Sequence, residues 1–476
     1  MVFSSYVFVF AFLPLTMVGY FTLSKVRSAI PQRVFLVIAS LVFYAWFDWK
    51  YIFLILSSIL VNFLAAFAVS KAQKSGARKA LFVFAVLFNV LLLGYFKYFN
   101  FFIDTVNSVF STDFTFEKIL LPLGISFFTF QQISFQLYFY RNSDKKLNFL
   151  NYTLFVSFFA QLVAGPIFHY EDFIPQIEDL NRRKFNKDNF AVGIYMFVAG
   201  LFKKLVIADS ISVFVDNGFS VSGQIGAFPA WIIMLGYAFQ IYFDFSGYSD
   251  MAIGLGKMFN YNLPVNFNTP YRSLSVKDFW KRWHITLGET LSETVYFPLG
   301  GGRKGKIRKC LNLFITFLVS GIWHGAAWTF VVWGVLHGIV RVLEEIFDKA
   351  IQKIPRIIRH IATFLFVSAA FTIFRAESFT AALKVYKGLF NFTNPGFSQI
   401  VSIANDGVIG HNLITGTAEI LLIFAFCFIF IIKEKSPQKR IEDFKPNMST
   451  AVFLSLLFVA SVLCMSRSAV FIYFNF

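Results

Sequence analysis

Long apolar stretches recur from one end of the chain to the other, parted by short polar links. Roughly 20 apolar residues carry a helix across a bilayer. The pattern predicts about 11 transmembrane helices, near 3–22, 34–48, 51–69, 79–97, 118–140, 190–208, 229–246, 311–345, 360–375, 416–433 and 450–468. The fold expected is an all-α polytopic membrane protein. The first stretch has no basic leader and no small-residue cleavage site, so it is expected to be a retained span.

The links sort by charge. Basic ones around Lys25–Arg33, Lys71–Lys79, Arg141–Lys146, Lys349–Arg359 and Lys433–Arg440 are expected to face the cytoplasm. The links around Asp104 and Asp113, around Asp209 and Asp216, and from Glu377 to Thr415 are acidic or nearly neutral and are expected outside. The alternation closes under two conditions: 150–165 enters and returns without crossing, and 311–345 bends into an in-and-out pair. Re-entrant backbone at membrane depth survives only inside protein or along a cavity, so a funnel or tunnel is expected.

Composition agrees: 57% of residues are hydrophobic and 14% charged, against about 25% charged in soluble domains. A net charge of +17 raises nucleic acid as a partner. The cations fall in short clusters between apolar segments, however, which suits the lipid bilayer and argues for no nucleic acid. Cys310, Cys427 and Cys464 form no CxxC and have no histidine at ligand spacing, so neither a disulfide framework nor a metal site is indicated. No internal repeat is visible, which tilts against a secondary transporter.

Candidate chemistry concentrates in 237–337. His324 sits in an apolar run broken only by Thr316, Ser320, Thr329 and the Trp indoles. An ionisable group in such a run is costly and normally functional. Desolvation keeps an imidazole neutral, the state a general base needs. A histidine bridging two helices is the competing structural reading.

In SVKDFWKRWHI, Lys277, Lys281 and His284 fall at i, i+4 and i+7, which predicts one helical face with Phe279, Trp280 and Trp283 interleaved. An interfacial anchor with snorkelling cations explains it as readily. The run GGGRKGKIRK at 300–309 offers backbone N–H groups and cations for phosphate, or serves simply as a positive-inside loop.

Gln240, Asp244 and Asp250 close an apolar span, where two carboxylates hint at acid–base work; hydrogen bonding at a helix end, or pairing with Lys257 or Arg272, is expected instead. His337 and His169 carry less weight, and His360 and His411 are expected in loops without a role. No GxSxG elbow or suitable thiol is present, so direct transfer onto a hydroxyl assisted by a neutral histidine is the simpler chemistry.

These stretches carry a resemblance. LPLGISFFTFQQISF (121–135), QLVAGPI (161–167), FQIYFDFSGYSDMAIGLGKMF (239–259), NFNTPYRSLSVKDFWKRWHITL (266–287), YFPLGGGRKGK (296–306) and NLFITFLVSGIWHGAAWTFVVWGVLHG (312–338) resemble the membrane-bound O-acyltransferase (MBOAT) family, in its bacterial alginate O-acetyltransferase-like branch. FTIFRAES (371–378) and the terminal FIYFNF match it too.

The resemblance implies one MBOAT domain over 1–476, with N-terminal spans at 1–110, a catalytic core at 118–345 and C-terminal spans at 360–476. It places the catalytic histidine at His324 and the supporting one at His284. Trp280, Lys281, Arg282, Arg303 and Lys304 are then expected to bind the donor, and Trp283, Ser320, Trp323 and Asp244 to line the tunnel. No cofactor is held tightly; the co-substrate is acetyl-CoA or another acyl thioester, on CoA or an acyl carrier protein. An exported acyltransferase partner, an extracytoplasmic polysaccharide and a bacterial cytoplasmic (inner) membrane location follow.

The chain departs from the branch at Ser292, Glu293 and Thr294, at Tyr138 and at His169, positions that bear on acceptor and partner. D-alanyl transfer to teichoic acid is the rival inside the family, and a proton-coupled transporter or flippase the rival outside it.

Overall fold

The computed structural model describes residues 1–404, 413–467 and 471–472. His411 and most of the terminal FIYFNF lie outside them. The described residues are helical, without a β-strand; the one extended pairing is an isolated antiparallel bridge between Phe267 and Trp283. The chain divides into two compact units, 1–197 with 251–264, and 198–250 with 265–476.

The first unit holds α1 (Phe8–Leu23), α2 (Ile30–Ala45), α3 (Tyr51–Lys71), α4 (Ser75–Phe110), α5 (Ile125–Arg141), α6 (Phe149–Ser157) and α7 (Tyr170–Glu178). Its division from the second unit falls within α8 (Lys187–Ser220) and α9 (Ala227–Met258). Three of its helices are joined by a buried polar cluster. Asn62 Nδ2 donates to Gln132 Oε1 at 2.8 Å, and Asn89 Nδ2 donates to Asn62 Oδ1 at 2.6 Å. Ser58 and Gln136 add bonds of 2.8 and 3.0 Å. Amides in apolar helices associate because each needs a partner that lipid does not supply.

The stretch expected to enter without crossing is α6. Asn148 caps it, and it stops at Phe158, whose ψ of 114° leaves the helical region. Nine residues rise only about 14 Å, half of what a bilayer needs. Every residue from 151 to 168 is buried, the condition under which non-crossing backbone is tolerated.

The second unit adds α10 (Val276–Trp280), α11 (Ile285–Leu291), α12 (Gly305–His324), α13 (Trp328–Ile346) and α14 (Arg356–Arg375). Then come α15 (Phe379–Gly388), α16 (Phe397–Ala404), α17 (Leu413–Lys433), α18 (Pro437–Glu442) and α19 (Met448–Cys464). The run 311–345 is the predicted bent pair. Its helices approach closely at Gly321 and Gly334: a Cβ on Gly334 would lie 2.6 Å from Phe317 O and 3.0 Å from Gly321 Cα.

Among the described residues, five helices are long and apolar enough to cross a membrane: Tyr51–Lys71, Ser75–Phe110, Lys187–Ser220, Arg356–Arg375 and Thr415–Lys433. α1, α2 and α19 are shorter apolar helices. Leu15, Val18, Leu91 and Leu456 are exposed on such helices, as lipid-facing side chains are.

Several expected boundaries are corrected. The span at 118–140 starts at Ile125, because Pro122 and Gly124, at φ 72°, interrupt the helix before it. Asp104 lies within α4, not in a link. The link expected around Asp209 and Asp216 is also helix, since α8 runs on to Ser220 through a π-helical stretch, Lys203–Ala208.

The span at 229–246 extends to Met258, a helix of 32 residues, so Asp244 and Asp250 lie inside it rather than at its end. Their partners are not Lys257 or Arg272. Lys204 Nζ lies 2.7 Å from Asp244 and 2.8 Å from Asp209. Lys203 lies 3.0 Å from Asp250 and 2.6 Å from Glu434, and Arg440 lies 2.6 Å from Asp250. Held by buried cations, these carboxylates let the helix continue through apolar surroundings.

Candidate active site

The predicted single helix over 275–285 does not form. Ser275 caps α10, its hydroxyl accepting from Asp278 N, and the helix ends after five residues. Beyond it the chain turns extended to pair with the segment after Leu263. Asn268 N donates to Arg282 O at 2.9 Å, and Ile285 N donates to Asn266 O at 3.0 Å. His284 then takes a left-handed φ of 46° and opens α11. Lys277 and Lys281 are exposed and His284 is fully buried, so the three share no face.

Asn266 fixes the ring of His284. Its Oδ1 lies 3.1 Å from Nδ1 and also accepts from Thr286 N at 3.3 Å and Thr286 Oγ1 at 3.1 Å. A backbone N–H only donates, so the shared atom is oxygen, Nδ1 carries the proton, and Nε2 keeps the lone pair. Burial pushes the imidazole down to about 3, so the ring is neutral at physiological pH.

His324 is the last residue of α12 and is buried. Gly325 is extended, and the next helix starts at Trp328, so His324 stands at the closed tip of the hairpin. Its ring lies against Trp323 (centroids 5.0 Å apart), Trp333 (5.1 Å) and Phe374 (5.2 Å). Trp323 also lies 6.3 Å from His284, whose other face meets Phe245 edge-on at 4.7 Å. One indole thus touches both histidines. Ser320, one turn before His324, is buried on the same side of α12.

Trp283 is packed among Phe267, Phe279 and Phe371, at centroid distances of 5.0, 5.4 and 5.0 Å. Asp244 neighbours Phe245 in sequence but is occupied by Lys204 and by the N–H of Ile472 at 2.9 Å. Trp280 donates its indole N–H to His337 Nδ1 at 3.1 Å.

The cations are elsewhere. Lys281 is exposed, and Arg282 is paired with Asp278 at 2.8 Å. Arg303 and Lys304 are exposed just before Gly305, the far end of a 20-residue helix from His324, about 28 Å along its axis. The structure therefore gathers His284, His324, Trp323 and Trp280 with their aromatic neighbours, and leaves Lys281, Arg303 and Lys304 apart.

His360, expected in a loop, lies in α14, where Nε2 donates to Tyr271 O at 2.7 Å. His169 Nδ1 lies 3.0 Å from Ser134 Oγ. Sequence reasoning passed over Asn266 and undervalued His337. The available signal for His337 was its register, four residues after Trp333 on one face of α13. Among the described residues no group of three or more His, Cys, Asp or Glu is disposed to hold a metal ion.

Among the described residues, helices long and apolar enough to cross a membrane mark a multi-pass membrane protein, and two buried imidazoles in it neighbour one indole. The chain belongs to the membrane-bound O-acyltransferase family, whose model matches residues 38–381. It is accordingly an O-acyltransferase.

It is similar to the peptidoglycan O-acetyltransferase of Helicobacter pylori, 38% identical over 100% of this chain and 98% of that one. It is 35% identical to a probable alginate O-acetylase of Azotobacter vinelandii, over the full length of both. Similarity to the teichoic acid D-alanyltransferase of Bacillus subtilis is 27%, over 55% of this chain and 71% of that one.

Proposed function

We propose that this O-acyltransferase moves an acetyl group from a cytoplasmic thioester, acetyl-CoA or a carrier-bound equivalent, toward hydroxyls of an extracytoplasmic polysaccharide, with His324 as general base. The observation that carries the reading is the pair of buried histidines at the hairpin tip, joined by Trp323. An imidazole takes a proton only in its neutral form, which apolar aromatic surroundings favour.

In the step proposed, the acceptor hydroxyl gives its proton to His324 as its oxygen attacks the thioester carbonyl. The C–S bond breaks, and the imidazolium returns the proton to the leaving thiolate, giving an ester and a free thiol. His284, held by Asn266 through Nδ1 and with its lone pair on Nε2, accepts from a neighbouring hydroxyl of the acceptor and so positions the reacting groups. Lys281, Arg282, Arg303 and Lys304 draw the anionic donor to the cytoplasmic mouth. Trp283, Ser320, Trp323 and Asp244 line the passage.

About 11 spans with re-entrant segments, acting as one domain in a bacterial cytoplasmic membrane, complete the picture, with delivery through an exported acyltransferase partner. Acetyl is preferred to D-alanyl because the O-acetylating relatives align over the whole chain, whereas the D-alanyltransferase aligns over 55% of it.

The test is His324→Ala expressed at wild-type abundance. Base treatment of the cell's polymer should release acetate from wild type and at least about 100-fold less from the variant. Retained acetylation removes His324 from the role, and release of D-alanine instead of acetate replaces the acyl group. Solute uptake by vesicles without thioester consumption turns the reading toward transport.

A further inference from the structure

His337, Arg341 and Glu344 fall at i, i+4 and i+7 of α13 and form one stripe along it. The stripe grips α10 at both ends. Glu344 accepts from Val276 N at 2.6 Å and from Lys277 N at 2.9 Å, while Arg341 holds the same carboxylate at 2.7 Å. At the other end His337 Nδ1 accepts the indole N–H of Trp280 at 3.1 Å. Ser275 Oγ takes the third N–H, from Asp278, at 3.0 Å.

A helix of five residues has almost no stability of its own, since nucleation costs more than so few bonds return. Its placement is therefore imposed from outside, and two turns of α13 impose it. Immediately after α10 come Trp283 and the left-handed His284, a backbone conformation that persists only where the surroundings fix it. Asn266 holds His284 from one side. The clamp on α10 holds the approach from the other.

Trp333, four residues before His337, lies 4.6 Å from that ring and 5.1 Å from His324. The stripe that sets α10 thus also carries one wall of the His324 site.

We infer that His337 and Glu344 are positioning residues for acyl transfer: they register α10 on α13 and so set the spacing of His284 from His324. The inference rests on the O-acyltransferase reading but not on which histidine is the base. It also assigns the Trp280 indole N–H to the clamp rather than to the donor.

The experiment uses full-length protein in membrane vesicles of the producing cells, which carry the native acceptor, with acetyl-CoA as probe and thiol release as readout. Protein amount is normalised by fluorescence-detected size exclusion. Trp280→Phe keeps the ring and loses the donor; His337→Leu loses the acceptor; His337→Asn keeps an acceptor oxygen where Nδ1 stood.

Trp280→Phe and His337→Leu should each lower kcat at least about tenfold, as a small displacement of positioned groups does, with KM for acetyl-CoA within twofold. The double variant should be no slower than the worse single one, and His337→Asn should recover most of the rate. Effects that multiply in the double variant would overturn the clamp. So would His337→Asn as inactive as His337→Leu, because the ring itself would then be needed, and so would a raised KM in Trp280→Phe alone. Absence of thiol release from wild-type vesicles would count against acetyl-CoA as donor, a failure distinct from that of the clamp.

Discussion

Asn266 determines which nitrogen of His284 carries the proton: one amide oxygen accepts from Nδ1 at 3.1 Å while Thr286 donates to it twice. The exchange Asn266→Asp keeps the shape and adds a negative charge. A carboxylate beside a buried imidazole favours the charged ring, so His284 would hold its proton to higher pH than in wild type and lose the Nε2 lone pair when it does. The pH below which acyl transfer falls off should therefore be higher in the variant than in wild type. A pH–rate profile superimposable on that of wild type would refute the tautomer assignment.

The same ring makes stability depend on acidity. Burial sets His284 at about 3 in the folded protein, against an ordinary 6.5. Between those values the unfolded chain binds a proton that the folded chain does not, so folding is favoured less as pH falls. The stabilisation is complete above pH 6.5 and is lost progressively toward pH 3. Melting temperatures in detergent should therefore drop more between pH 7 and pH 4 for wild type than for His284→Asn. Parallel slopes for the two would show that the ring takes up its proton without unfolding cost.

Where the sequence spoke clearly, the information was local. The bend in 311–345 was visible because the alternation of basic and acidic links closes only if that run bends into a pair, and His324 was visible as an ionisable residue in an otherwise apolar stretch. The extension of α9 was hidden because the partners of its carboxylates are remote: Arg440 stands 190 residues from Asp250. The even face expected over 275–285 failed for a related reason. Trp283 is drawn out of helix by Phe267, and no periodicity within the eleven-residue window registers that partner. His284 was found as a residue type, but its holder, Asn266, lies 18 positions upstream and looks like any loop asparagine.

Asp250 is held by Lys203 at 3.0 Å and Arg440 at 2.6 Å, with Glu434 on the far side of the lysine, where the Tyr242 hydroxyl also donates to it. Removing Asp250 leaves two cations, Lys203 and Arg440, with Glu434 as the remaining carboxylate of the cluster, and an uncompensated buried charge typically costs about 3–5 kcal/mol. Asp250→Ala should therefore reduce folded yield and melting temperature sharply. Lys281→Ala, at an exposed position, should leave both near wild type. A melting temperature for Asp250→Ala within about 2 °C of wild type, far less than several kcal/mol implies, would show that the cluster is not needed for the fold.

Gly334 tests whether the hairpin must be as tight as it is. A methyl group there meets backbone on both sides, 2.6 Å from Phe317 O and 3.0 Å from Gly321 Cα, and neither can yield as a flexible side chain would. Gly334→Ala should push α12 and α13 apart, at about 1–3 kcal/mol for overpacking. It should also shift Trp333 from its 5.1 Å contact with His324. Activity should fall by more than stability alone explains, seen as a reduced kcat in protein that still elutes as a folded peak. Gly76→Ala is the control: nothing lies within 4 Å of the added methyl in the first turn of α4. Equal activity in the two variants would mean that the spacing across the hairpin does not govern the chemistry at its tip.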